Sequence, residues 1–187
     1  MAEIAGLMYH EVTDDPRTSG FQRPGALPYT LTRAAFRRHL DAIAAGPMRP
    51  ELVTQLDLQG NGKRHLLLTF DDGGASALHA GEELARRSWR GHFFIPTDMI
   101  GRLGYLDWDG VRAVAGMGHV IGSHSCSHPD RMAACSWEQL MAEWSGSAEV
   151  LARELGQPVR TASVPGGLYS RDVGRAAAIA GYTSLFT

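Results

Sequence analysis

The chain has 187 residues, 44% of them hydrophobic, and its 18 Lys+Arg against 20 Asp+Glu give a formal charge of −2. That length suits one domain with a sizeable core, and the charge balance argues against the broad basic surface of a nucleic-acid binder. The apolar content excludes a disordered chain, and the 22 glycines scattered along it do not form a collagen repeat.

No apolar run reaches the roughly 20 residues a helix needs to cross a bilayer, so no membrane span is expected. Met1 to Gly6 lacks the basic-then-apolar layout of a secretory signal, and the compartment stays open. Cys126 and Cys135 are too few and too far apart for a disulfide framework or a CxxC pair, and read as free thiols.

Short apolar runs alternate with amphipathic ones. Ile4 to Tyr9 reads as a strand ending at His10, and Asp14 to Pro28, rich in Pro, Gly and charge, as a loop. Thr32 to Ala45 is expected to be helical, with Phe36, Leu40, Ile43 and Ala44 on one face and Gly46-Pro47 as the stop. His65 to Phe70, nearly all apolar, suits a strand covered on both faces. A helix over Ala75 to Arg87, a strand over His92 to Ile95, a short helix over Asp109 to Ala115 and a strand over His119 to Gly122 follow. Ser136 to Leu155 is the longest helix, with Ser136 and Gln139 at capping-box spacing. Thr161 to Val164 is a strand, Ser170 to Ala180 a helix closed by Gly181, and Tyr182 to Phe186 a last strand.

This alternation means parallel strands joined by helical crossovers. The expected fold is α/β: a distorted (β/α) barrel of six to seven units forming a single domain over residues 1–187, with an open doubly wound sheet as the competitor. His10, Asp71-Asp72, Thr97-Asp98, His124 and Pro165-Gly166 each follow a strand, the edge that carries the active site in such folds.

Two of those strand ends carry chemistry. In Thr69-Phe70-Asp71-Asp72-Gly73-Gly74 adjacent carboxylates would repel each other unless a cation lay nearby; alone, the segment also reads as a solvated turn. In His124-Ser125-Cys126-Ser127-His128, a helical turn after His124 would bring the two imidazoles to about 5–6 Å at Cβ, close enough to share one Zn²⁺. One aspartate and two histidines make a three-ligand site with positions left open, as catalytic metals require. The second aspartate is then free to act as general base on water activated by the metal, a layout suited to hydrolysing a carbonyl compound.

These two segments, in this order and strand context, resemble the first two motifs of the polysaccharide deacetylase family (carbohydrate esterase family 4), and the resemblance covers roughly residues 63–187. It implies a distorted barrel of about seven units and metal-dependent removal of N-acetyl or O-acetyl groups from an N-acetylated oligo- or polysaccharide. It assigns Asp71 as base and Asp72, His124 and His128 as ligands of a divalent metal, Zn²⁺ first and Co²⁺ or Ni²⁺ as alternatives.

The family's third motif, Arg-x-Pro-x-Gly, corresponds here to Ser163-Val164-Pro165-Gly166-Gly167. Pro165 and Gly167 match, and the backbone N–H of Gly166 retains the family's oxyanion contact. Ser163, however, stands where an arginine normally holds the base, and strand alternation turns Arg160 to the other face. The Leu-x-His motif that supplies the general acid would fall beyond residue 187. His10, in Met8-Tyr9-His10, resembles the N-terminal acid of the exopolysaccharide branch acting on poly-N-acetylglucosamine; the alternative is a structural histidine at the strand end, with the acid lying beyond residue 187.

Trp108 is a candidate for stacking on a sugar ring, with a core position as the alternative. Phe21 and Tyr29 either cap the groove or anchor their loop, and Trp137 and Trp144, at i and i+7, read as core packing. His39, His65, His79, His92 and His119 lie away from the rim and read as surface or hydrogen-bonded residues; Cys126 is set aside as a ligand, and Ser125 as a loop-orienting hydroxyl. Two further functions stay open: a catalytically weak glycan-binding relative, and a hydrolase of a non-sugar amide.

Overall fold

The structure, a computed structural model, describes residues 2–22, 26–57 and 63–187. Six parallel strands form its main sheet: β1 (Glu3–Tyr9), β4 (Arg64–Phe70), β5 (His92–Ile95), β6 (Val120–Ser123), β7 (Thr161–Ser163) and β8 (Ser184–Phe186), hydrogen-bonded in that spatial order. The sheet curls into a half-barrel, the distorted (β/α) barrel expected from the alternation of elements. β2 (Glu11–Val12) and β3 (Thr30–Leu31) form a separate two-residue parallel pair, too short to carry a period-2 signal. Of the loop expected over Asp14 to Pro28, residues 23–25 lie outside the described residues, and the rest includes 3₁₀ turns at Pro16–Thr18 and Leu27–Tyr29.

The helices are α1 (Arg33–Ala45), α2 (Ala77–Arg86), α3 (Trp108–Gly116), α4 (Trp137–Leu155) and α5 (Arg171–Ile179). Their ends follow from local chemistry. The side chains of Thr32, Asp107, Ser136 and Ser170 each accept a hydrogen bond from a first-turn N–H, satisfying donors the helix itself cannot. At α4 both halves of the capping box form between Ser136 and Gln139, and left-handed Gly156 (φ 68°) ends the helix. The last strand is shorter than expected, because Tyr182 instead bonds back to Ala177 O in the turn closing α5.

Burial divides the sheet into two faces. Tyr9 and Phe36 meet edge to face at 5.2 Å, and Phe70 stacks on Phe93 at 4.5 Å, linking β1, β4 and β5 to α1. Residues one step along each strand point into the half-barrel, so Thr69, Asp71 and Ser163 line its inner side. β1 and β8 are the sheet edges, and β1 is exposed up to Tyr9. Trp144 is fully buried as expected, but Trp137 is not a core residue: in the first turn of α4 it is 37% exposed, beneath the Arg175 guanidinium of α5. No helix among the described residues is long and apolar enough to cross a membrane.

Candidate active site

Asp71 continues β4: its N–H bonds to Tyr9 O at 2.9 Å, and it keeps the inward face of Thr69. Regular alternation would send Asp72 to the opposite face, but its backbone is left-handed (φ 72°) and Gly73 follows at φ 61°. The turn brings both carboxylates to one imidazole, with His124 Nε2 lying 3.9 Å from Asp71 Oδ2 and 3.4 Å from Asp72 Oδ1. His128 Nε2 is 3.2 Å from the same Asp72 oxygen. Asp72, His124 and His128 therefore offer three ligand atoms within 4.8 Å of one another.

The route to this cluster differs from the helical turn expected after His124. Residues 124–128 form an irregular loop in which Ser125 (φ 65°) and His128 (φ 57°) are left-handed, and it brings the two rings to 4.9 Å. Three of the four left-handed non-glycine residues described thus lie at the site, each costing on the order of 1–3 kcal/mol. Hydrogen bonds hold the loop against that cost. Ser125 Oγ accepts from His128 N–H at 3.1 Å, and Glu143 of α4 accepts from the N–H groups of Cys126 and Ser127, each at 2.8 Å, and from the Ser127 hydroxyl at 2.6 Å. Nothing in the local sequence around Glu143 signals this contact.

The donor chemistry fits a cation. His124 Nδ1 lies 2.9 Å from the carbonyl of Ser163; a carbonyl can only accept, so the ring proton is on Nδ1 and neutral His124 presents a bare lone pair at Nε2. That lone pair and Asp72 Oδ1 face each other inside a buried site, an arrangement that requires a proton or a metal between them. Without a metal, the neighbouring carboxylates favour the charged form of the His124 imidazole. Burial pushes Asp72 up, but hydrogen bonds from His124 and His128 hold it well below the usual carboxylate range. For His124 burial works downward, and the charges of Asp71 and Asp72 raise it overall.

Asp71 stays outside the ligand set. Ser163 Oγ donates to its Oδ2 at 2.9 Å, and its Oδ1 is buried without a hydrogen-bond partner. Ser163, read from sequence as the place where a base-holding arginine is missing, therefore holds Asp71 itself. Arg160 points elsewhere, donating to Gly181 O at 3.2 Å.

A cavity of about 330 Å³ between β1 and β8 brings together His10, Tyr29, Asp71, His124, Ser163, Gly166 and Phe186. The His10 ring packs against Tyr29 at 4.8 Å, and its Nδ1 is buried without a partner. Pro165 is buried, and Gly166 turns left-handed (φ 64°) at the cavity wall. Trp108, the proposed sugar platform, is not in this lining; it begins α3 and packs against the core. Phe21 does reach the site, its ring 4.7 Å from that of His128.

Three of the histidines set aside have other partners: His65 meets Glu51 at 3.1 Å, His92 bonds to Leu68 O and Val53 N–H, and His119 to Gly81 O and Gly91 N–H. Cys126 Sγ points at the Glu143 carbonyl, 3.3 Å away.

The family model described as polysaccharide deacetylase matches residues 59–185. No curated protein sequence matches the chain. Among solved structures, IcaB from Ammonifex degensii superposes with a TM-score of 0.82 at 21% identity, over 100% of this chain and 85% of that one. The deacetylase PplD of Streptococcus pyogenes gives 0.80 at 19% identity over 96% and 81% of the two chains. A de-N-acetylase from Aggregatibacter actinomycetemcomitans gives 0.81 at 19% identity over 98% and 87%.

Proposed function

Because this chain belongs to the polysaccharide deacetylase family, we propose that it hydrolyses N-acetyl groups on a glycan in a metal-dependent reaction. The observation that carries this reading is the division of labour between the adjacent aspartates. Asp72 shares its Oδ1 with two imidazoles, while Asp71 lines the cavity beside them and keeps a buried Oδ1 without a hydrogen-bond partner.

Asp72, His124 and His128 would hold the cation, and their one-oxygen, two-nitrogen donor set suits zinc, with cobalt or nickel as substitutes. A metal held there supplies Lewis acidity towards water and towards the acetyl carbonyl. Asp71 takes a proton from the water that attacks the carbonyl carbon, oriented for this by the Ser163 hydroxyl. The Gly166 N–H donates to the oxyanion as the carbonyl becomes tetrahedral. His10 gives a proton to the amide nitrogen as the C–N bond breaks, leaving acetate and a free amine. The exopolysaccharide deacetylase branch is favoured because His10 shares the cavity with Asp71.

Incubation with N-acetylglucosamine oligosaccharides tests this. Equal amounts of acetate and free amine are expected, abolished by a chelator and restored by Zn²⁺. A glycan-binding relative without turnover would bind the oligosaccharide and release neither product; the Ser163 contact to Asp71 favours the catalytic reading over that one.

A further inference from the structure

Glu11 follows His10 directly and is 5% exposed, yet it belongs to neither the ligand set nor the cavity lining. Its Oε2 accepts from the Ser76 hydroxyl at 2.5 Å and its Oε1 from the Ser19 hydroxyl at 3.0 Å. Ser76 precedes α2 and ends the turn that begins with Asp71-Asp72, and its Oγ accepts in turn from Val12 N–H at 2.9 Å. The carboxylate sits directly over Gly74, where any side chain would overlap it.

Ser19 opens a short strap whose next residues are Gly20 and Phe21. Ser19 Oγ also accepts from Phe21 N–H at 3.1 Å. Gly20 lies on the face of Tyr105 with no room for a Cβ, and Phe21 presents its ring to His128. One buried carboxylate thus joins two segments distant in sequence: the aspartate turn and the strap that brings an aromatic ring to a candidate ligand. Burying a carboxylate against neutral hydroxyls alone is a costly way to close a loop, so its placement calls for a role.

We propose that Glu11 is a positioning residue: it fastens the Ser19–Phe21 strap to the aspartate turn and thereby sets Phe21 against His128 as a wall of the substrate groove. This rests on the deacetylase reading for its catalytic consequence, but its structural core can be tested without substrate or metal. The C–H resonances of the His128 imidazole, assigned by their loss in His128→Gln, report the ring current of Phe21. Phe21→Leu removes that shift. Glu11→Ala should remove it too and add nothing in the Phe21→Leu background; Ser19→Ala, which cuts only the strap end of the link, should do the same if Glu11→Ala fails to fold. With N-acetylglucosamine oligosaccharides, Glu11→Ala and Phe21→Ala should each raise KM about fivefold with kcat within about twofold, and the double variant should be no worse than either. His128 resonances unmoved in both Glu11→Ala and Ser19→Ala, or additive effects on KM, would overturn the proposal. Wild-type protein without turnover but with the coupled shifts would sink the deacetylase reading alone.

Discussion

The hydroxyl of Ser163 donates to Asp71 at 2.9 Å, and the carbonyl of the same residue accepts from His124, also at 2.9 Å. A single residue at the end of β7 therefore orients both the candidate base and a candidate metal ligand. The hydroxyl does so without bringing a charge of its own.

Ser163→Ala removes the hydroxyl and leaves the carbonyl. A hydrogen bond to a charged group contributes about 1.5–3 kcal/mol, so kcat should fall roughly tenfold to a hundredfold. Zinc content should not change, because His124 keeps its partner. Steady-state kinetics beside elemental analysis of the purified variant checks both; a large loss of metal would show that Ser163 acts mainly on His124.

Glu143→Ala frees two backbone N–H groups and the Ser127 hydroxyl from their acceptor. His128 is then carried by a loop with left-handed residues and little to restrain it. Zinc affinity should drop about tenfold to a hundredfold, the usual scale for losing a residue that supports a ligand. Competition with a chromophoric chelator measures it, and wild-type affinity would contradict the role.

If His10 protonates the leaving amine, His10→Gln should slow deacetylation of an oligosaccharide by about 10²–10⁴-fold. An aryl acetate, whose leaving group needs no proton, should lose far less. Equal losses on both substrates would assign His10 to binding or packing.

Much of this was legible in the chain. Strand–helix alternation and the position of polar residues after strands place Asp71, Asp72, His124 and His128 on one rim, because parallel strands all end at the same edge of the sheet. What sequence could not supply was conformation that breaks the period. Asp72, Ser125 and His128 are left-handed, and the loop carrying the last two is held by Glu143 and by the Ser125 hydroxyl. Ser163 looked like a loss because its partner, Asp71, lies 92 residues away. Glu11 drew no notice for the same reason, its two serines being 8 and 65 residues distant. Trp137 misled through its spacing from Trp144, since a heptad repeat places two residues on one face but does not say how far the neighbouring helix extends.

Burial raises the Glu11 carboxyl above its ordinary value, against the opposing pull of the Ser76 and Ser19 hydrogen bonds. Below the unfolded value near 4.5 both states hold the proton and this contribution to stability is fully present. As pH climbs through the raised folded-state value it is lost, because the folded protein must then ionise a buried group. Glu11→Gln removes that penalty. Urea unfolding of both proteins from pH 4 to pH 7 should therefore show the variant gaining on the wild type as pH rises; a constant difference would contradict the shift.

The central claim is that Asp72, His124 and His128 grip one ion while Asp71 stays free for chemistry. Calorimetric titration of Zn²⁺ into metal-free protein tests it most directly. The wild type and Asp71→Asn should each bind one equivalent, with Asp71→Asn releasing no acetate, and His128→Ala should bind weakly or not at all. Full-strength binding by His128→Ala, or its loss in Asp71→Asn, would contradict the assignment.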